Sequence, residues 1–221
     1  QGGTLHSGYR VQRIARGPAG STGWRVDDAP FDAVVLATTS TEAARLVLTA
    51  HAAHPTLQGP EAAALQAWAR KAQALRFTAI TTVYAQTAAL PQGTVLSQPM
   101  LALRPGAGQP AQFVFDRMQL GGPAGLLAFV VSASEGDRAT LEREVLQQAQ
   151  DQLGLQGLRI VQTVVEKRAT FACTPALQRP PQTVANGLCA CGDYVEGPYP
   201  ATLEGAVMSG TAAAGTPVAA T

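Results

Sequence analysis

Charge is scarce in this chain: only 14% of its 221 residues are charged, against about 25% in an ordinary soluble domain. What charge there is balances at 16 basic and 15 acidic residues, with no run of either sign. The electrostatic footprint of a nucleic-acid binder is therefore missing. Cysteine is equally sparse. Cys173, Cys189 and Cys191 form neither a C-x-x-C pair nor a zinc set, and an odd count excludes a complete disulfide framework, so a reducing cytoplasmic setting is expected. His6, His51 and His54 have no ligand partners at metal spacing, which leaves no metal site and no histidine-activated nucleophile. The longest apolar run, GLLAFVV from Gly125 to Val131, is far short of the roughly 18 residues a spanning helix needs, and QGGTLHSGYR at the start lacks the apolar centre of a signal peptide. There is no G-x-S-x-G and no G-x-G-x-x-G.

What is present is apolar sequence, 46% of the chain, enough for a sizeable core and two lobes. YRVQRI (9–14), a glycine-rich turn from Gly17 to Gly23 and Trp24–Val26 predict a hairpin. FDAVVLA (31–37) predicts a strand covered on both faces, and Thr39 with Glu42 predicts a capping box for a helix reaching about Leu48. Pro60 opens a second helix with an apolar stripe of Leu65, Trp68, Ala69, Ala72 and Leu75. The pattern then changes to strands over 77–86, 112–118, 125–133 and 158–171, with one amphipathic helix carrying Leu141, Val145, Ala149 and Leu153 and closed by Gly154. An apolar strand at 187–191, the turn GDYVEGPYP and a helix over 202–214 end the chain. The expected fold is α/β with an α+β insertion.

Asp193 follows a buried strand and precedes a proline-stiffened loop and a helix, which puts a carboxylate and a helix N-terminus at one spot, suited to a polyhydroxylated or anionic ligand. The final helix carries Thr202, Gly205, Ala206, Ser209, Gly210 and Ala213 on one side, all small, as close approach of a flat group or of backbone requires. Cys189 and Cys191 share a strand face and read as small core residues rather than a redox pair. Asp116 and Arg117 read either as an ion pair at the rim of an apolar cavity or as a structural surface pair. Arg168 and Arg179 line an entrance or tie down a loop.

GDYVEGPYPATLEGAVMSG (192–210) resembles the C-terminal flavin motif of the FAD-dependent amine oxidase and carotenoid desaturase superfamily, and Gly2-Gly3, Val11, Ile14 and VVLATT at 34–39 resemble its middle FAD segment. FVFDRMQLGGPAGLLAFVVSAS, EKRATFACTPALQRPP and GDYVEGPYPATLEGAV further resemble the squalene-associated desaturases understood as hydroxysqualene dehydroxylases. The resemblance implies a partial FAD-binding, Rossmann-like fold over 1–55 and 184–221 and an antiparallel-sheet substrate domain over 56–183. It implies FAD contacts at Val11, Ala37, Thr38, Gly192, Asp193, Pro200, Thr202 and Leu203, with Asp116 and Arg117 as catalytic candidates. It implies an apolar isoprenoid substrate, as in hopanoid biosynthesis, with a peripheral membrane contact through which such a substrate arrives. Carotenoid desaturation and amine oxidation are the alternatives within the class. A non-catalytic binding domain that lost its nucleotide lobe is the alternative outside it.

The superfamily's pyrophosphate-binding G-x-G-x-x-G unit has no counterpart in these residues, so the chain reads as the C-terminal part of a longer flavoenzyme, inactive alone. Adenine, ribityl and pyrimidine contacts without that unit lose the charged centre of the cofactor. Calorimetric titration of the 221-residue chain should therefore find FAD affinity weaker than about micromolar, and a tighter value would show that the motif is dispensable.

Overall fold

The computed structural model describes residues 2–18, 23–52, 59–87 and 93–215. They fall into two compact units, one of residues 1–76 with 173–221 and one of residues 77–172.

In the first unit β1 (Ile14–Arg16), β2 (Trp24–Val26) and β3 (Ala29–Phe31) form an antiparallel meander, so the expected hairpin is present, although the tip of its turn, 19–22, lies outside the described residues. The first strand begins at Ile14 rather than Tyr9, because the groups before it are engaged elsewhere. The amides of Gln12 and Arg13 donate to Asp27 Oδ1, and Arg45 donates to the carbonyls of Val11 and Gln12. β4 (Val34–Leu36) leads into α1 (Ser40–Ala52), which buries Ala43, Ala44, Leu46, Val47 and Ala50, and α2 (Pro60–Gln73) packs on it with Leu65, Trp68, Ala69 and Ala72 inside. The capping box does not form as expected. Glu42 is drawn instead into ion pairs with Arg45 and Arg10.

Late in the chain, β10 (Thr183–Ala185) and β11 (Leu188–Ala190) form a hairpin, and β11 lies parallel to β4 with Leu188, Cys189 and Ala190 opposite Val34, Val35 and Leu36. α4 (Leu203–Ala214) closes the unit, and its Ala213 packs with Cys189 and Cys191, the small-core role expected of the two cysteines. β4 is not covered on both faces, since Val35 remains 47% exposed. Both tryptophans tie the late segment to the early one: Trp24 Nε1 donates to Asn186 O at 2.9 Å and Trp68 Nε1 to Pro181 O at 2.7 Å. The unit thus extends to residue 76 and resumes at 173, where the sequence pattern placed breaks at 55/56 and 183/184, because α2 belongs with α1 and β10.

The second unit is a five-stranded antiparallel sheet in the order β6 (Met100–Ala102), β7 (Phe113–Asp116), β8 (Leu126–Ser132), β5 (Phe77–Gln86), β9 (Arg159–Phe171). α3 (Arg138–Leu153) starts at Asp137, whose side chain accepts from Thr140 N, and ends at Gly154 in the left-handed conformation. Its Leu141, Val145 and Ala149 form one core with Val83, Ala85, Val114, Leu127, Phe129 and Val131, the alternate residues of the central strands. The other alternation, including Tyr84, Met100, Phe113, Phe115 and Val130, looks away from that core and is exposed or half-buried.

Asp116 organises one end of this sheet. Fully buried, its carboxylate accepts from the amides of Val95 (2.8 Å), Leu96 (3.1 Å) and Met118 (3.1 Å) and from Gln119 Nε2 (3.2 Å). The ion pair expected with Arg117 is not made, since these four donors already occupy the carboxylate. Burial alone would push this carboxyl group upward, but the hydrogen bonds from Leu96, Gln119, Val95 and Met118 together hold it below the ordinary aspartate range. Its stabilisation is therefore present above the unfolded value of about 3.9 and is lost as pH falls through the lowered folded value. Asp116→Ala strands the buried Leu96 amide, at a cost of about 1–3 kcal/mol, and unpairs the part-buried Val95 and Met118 amides, so denaturant unfolding at pH 7 should show a loss of about 2 kcal/mol or more, shrinking toward acid pH. A variant as stable as wild type would show that water replaces the carboxylate.

Candidate functional site

The parallel pairing of β4 with β11 sets the carboxyl ends of two strands side by side. At the switch from strand to loop, Cys191 N donates to Leu36 O at 3.0 Å, so Ala37-Thr38 and Gly192-Asp193 emerge together at one sheet edge. That is the position where open α/β sheets bind ligands. Gly192 is required there: a Cβ would sit 2.8 Å from the Tyr194 ring, and the backbone has φ of 151°. Ser209 of α4 fastens the same peptide, accepting from Gly192 N at 2.9 Å and donating to Gly192 O at 3.0 Å.

The 194–202 loop is anchored by hydrogen bonds at several points. Arg179 donates to the carbonyls of Val195 and Gly197, so this residue ties down the loop. Arg168, in the second unit, places its guanidinium 4.2 Å from the centre of the Phe77 ring. Thr202 caps α4, accepting from Gly205 N at 3.0 Å and donating to Tyr199 O at 2.7 Å. The small side of α4 has a defined neighbour: a Cβ on Gly205 would come within 2.3 Å of Tyr199 O, so this glycine is demanded by the helix's own preceding loop. Nothing lies within 4 Å of a Cβ at Gly210. With Gly205 N taken by the cap, the amides of Leu203 and Glu204 are the ones left pointing out of the helix end, where Pro200, Thr202, Leu203 and Glu204 are all exposed.

Asp193 is half-buried, and among the described residues no group but its own amide is turned toward its carboxylate. Burial pushes its carboxyl group above the ordinary range, offset in part by that amide and by the Arg179 charge. Among the described residues neither the buried Tyr194 hydroxyl nor the buried Ser40 hydroxyl at the start of α1 has a hydrogen-bond partner. Burial likewise raises Tyr194. Val11 and Thr38 meet in a separate cavity of about 400 Å³ with Tyr9, Val34, Glu42 and Leu46. Glu42 is held below the usual range by Arg45 first and Arg10 second. A hungry carboxylate, unpaired buried hydroxyls and outward amides make a donor and acceptor set that fits a ligand with hydroxyls, imide edges and negative charge, as FAD has.

The structure thus gathers Ala37, Thr38, Gly192 and Asp193 at one sheet edge, joins Val11 to Thr38 in the adjoining cavity, and sets Thr202 and Leu203 at the end of a loop anchored to Asp193, whose carbonyl accepts from Ala201 N at 3.3 Å. Asp116 and Arg117 belong to the second unit. Sequence reasoning passed over Ser40 and Tyr194, and it gave Glu42 a capping role only. A tyrosine after Gly-Asp was the one available signal, and its burial was not legible in it. Among the described residues no group of three or more His, Cys, Asp or Glu side chains could hold a metal; the His51 side chain and His54 lie outside them. Among the same residues no helix is long and apolar enough to cross a membrane.

The family described as flavin containing amine oxidoreductase matches residues 1–216, and the chain belongs to that family. No curated protein matches significantly. Among solved structures, an oxidoreductase from Methanosarcina mazei matches with a TM-score of 0.60 at 16% identity over 93% of this chain and 48% of its own. A candidate protoporphyrinogen oxidase from Exiguobacterium sp. 255-15 matches with a TM-score of 0.55 at 14% identity over 93% of this chain and 46% of its own. At such identities the likeness is one of fold, and the chain spans about half the length of these relatives.

Because folding penalises ionised Asp193, the contribution of this carboxyl to stability is full below the unfolded value of about 3.9 and is lost as pH rises through the raised folded value. Asp193→Asn should therefore raise the melting temperature near pH 7.5 and leave it unchanged near pH 3.5, as read by scanning calorimetry. A variant that melts lower than wild type at pH 7.5 would mean that the carboxylate is satisfied in a way this geometry does not show.

Proposed function

We propose that this member of the flavin-containing amine oxidoreductase family is the C-terminal part of an FAD-dependent oxidoreductase that acts on a polyisoprenoid, reductively removing the hydroxyl of hydroxysqualene. The observation that carries the flavin assignment is the convergence of Ala37-Thr38, Gly192-Asp193 and the Thr202-capped α4 about one sheet edge. In this reading Asp193 accepts hydroxyl groups of the cofactor's ribityl and phosphate side, and the Leu203 and Glu204 amides face its pyrimidine edge. Negative charge gathers at that edge on reduction, and a helix N-terminus stabilises it. Val11 and Thr38 line the adenine cavity. When bound, FAD supplies hydride to an allylic, cation-like carbon.

The substrate class is supported by the squalene-type motifs and by the second unit's sheet. Its face away from α3 presents Met100, Phe113, Phe115, Tyr84 and Val130, with Met100 48% and Phe113 38% exposed. An apolar wall suits a hydrocarbon chain that offers almost nothing to hydrogen-bond, and it keeps water from a cationic carbon. On this reading the C–O bond would break with the oxygen leaving as water, its extra proton drawn from solvent, as the hydride forms the new C–H bond, and Asp116 serves the loop fold beneath the wall.

The test is turnover by the flavin-loaded full flavoprotein, with hydroxysqualene, phytoene and a primary amine supplied separately. Anaerobic loss of the hydroxysqualene hydroxyl with reduced flavin as donor is the expected result. Flavin reduction by phytoene or by the amine, with hydroxysqualene untouched, would move the enzyme to the oxidising branch of the family. In the same protein Asp193→Ala should release flavin on dialysis, since a hydrogen bond to a charged group is worth about 1.5–3 kcal/mol.

A further inference from the structure

β9 is a 13-residue strand at the edge of its sheet, paired on one side only among the described residues. The opposite edge, β6, has three residues and is too short to act as a template. Long free edges are normally blunted, yet β9 exposes Val161 (60%), Val164 (44%) and Val165 (45%). Its ladder with β5 has two irregularities. One lies where Gln162 faces Tyr84 but Ile160 faces Ala85, so that Val161 is the extra residue of a bulge, and the other begins beyond Glu166. Between them they bound the segment Arg159-Ile-Val-Gln-Thr-Val-Val-Glu166, and Lys167 and Arg168 follow directly.

This segment is complementary to itself. Set antiparallel to a second copy with Thr163 opposite Thr163, and with Val161 and Gln162 counted as one bulged position, it brings Arg159 against Glu166, Ile160 against Val165 and Val161 with Gln162 against Val164. The sheet faces agree. Arg159 and Glu166 stand opposite Gln86 and Ile80 of β5, which lie on one face, while Ile160 and Val165 stand opposite Ala85 and Thr81, which lie on the other. Without the bulge the two members of each pair would fall on opposite faces, and a two-fold pairing could not form.

We propose that β9 is a dimerisation edge: two copies of this chain join through antiparallel β9–β9 pairing centred on Thr163, with two Arg159–Glu166 ion pairs fixing the register. Backbone hydrogen bonds give the affinity, the valines cover one another, and Lys167 with Arg168 stops the pairing from running further along the strand. Glu166 is available for this role: among the described residues its carboxylate takes only the exposed amide of Arg168, at 3.1 Å. Eight residues a side make a small interface, so the dimer should be concentration-dependent.

Sedimentation equilibrium of the 221-residue chain across the micromolar range, with melting temperature as the control for folding, tests this directly. Wild type should be in monomer–dimer exchange at tens of micromolar. Glu166→Arg and Arg159→Glu, each of which sets like charges opposite at both ends, should weaken the dimer at least tenfold without lowering the melting temperature. The double variant Arg159→Glu with Glu166→Arg should recover most of the loss. A monomer at about 100 micromolar, a dimer indifferent to either reversal, or single losses that the double variant does not repair would each overturn the proposal.

Discussion

The parallel contact between β4 and β11 is the constraint on which the first unit depends. It joins a strand from the beginning of the chain to one near its end, through Val34 N to Gly187 O at 2.9 Å and Cys191 N to Leu36 O at 3.0 Å. Parallel neighbours need a crossover, and here everything between residues 37 and 187 serves as one. Because the two strands run the same way, both loops that leave them emerge at a common edge, and that edge is where the hydroxyl-seeking carboxylate of Asp193 stands. An antiparallel pairing would have sent Thr38 and Asp193 to opposite ends of the sheet.

A crossover that long is tolerable only if the inserted unit folds by itself and returns the chain to where it left. The second unit is compact, with a core of its own, and returns the chain to its entry. Its first strand residue, Phe77, is the register partner of its last, Phe171, so the entrance and exit are held together by the β5–β9 ladder. Its core of Val83, Val114, Phe129, Val145 and their neighbours is closed by its own helix. The loop-closure entropy of the long connection is thus absorbed inside a separately cored unit, and the sequence of that unit is free to change without disturbing the β4–β11 contact.

Elements with strong periodicity were legible in the chain. The α2 stripe from Leu65 to Leu75, the α3 stripe closed by Gly154, and the long strands β5, β8 and β9 all stand within a residue or so of where alternation and caps put them. What could not be read was the fate of polar groups with more than one possible partner. Glu42 looked like a capping residue and went to arginines. Asp116 looked like half of an ion pair and went to backbone amides contributed by a loop some twenty residues earlier. The short strands β3, β6 and β10 were not read. The small stripe of α4 announced a close neighbour but not its identity, which is the Tyr199 carbonyl of its own loop.

The two aspartates show how satisfaction separates structure from function. Asp116 is the more deeply buried, yet four donors leave it ionised more readily than a free aspartate, and every hydrogen bond it makes holds a loop in place. Asp193 is less buried and is pushed the other way, because among the described residues nothing but its own amide and the charge of Arg179 answers the loss of water. Beside it stands Tyr194, whose buried hydroxyl has no partner among them. Folding alone gains nothing from leaving such groups unanswered, as each costs stability that a phenylalanine or an asparagine would return. Their persistence at the mouth of two aligned strands is explained if the missing partners arrive with a ligand. A ligand that supplies them must carry hydroxyl donors for the carboxylate and an acceptor for the phenol, which is the chemistry of a polyhydroxylated cofactor rather than of a hydrocarbon substrate. The sheet of the second unit has the opposite character, with Met100, Phe113, Phe115, Tyr84 and Val130 forming an exposed or half-buried apolar face that offers such a ligand almost nothing to hydrogen-bond.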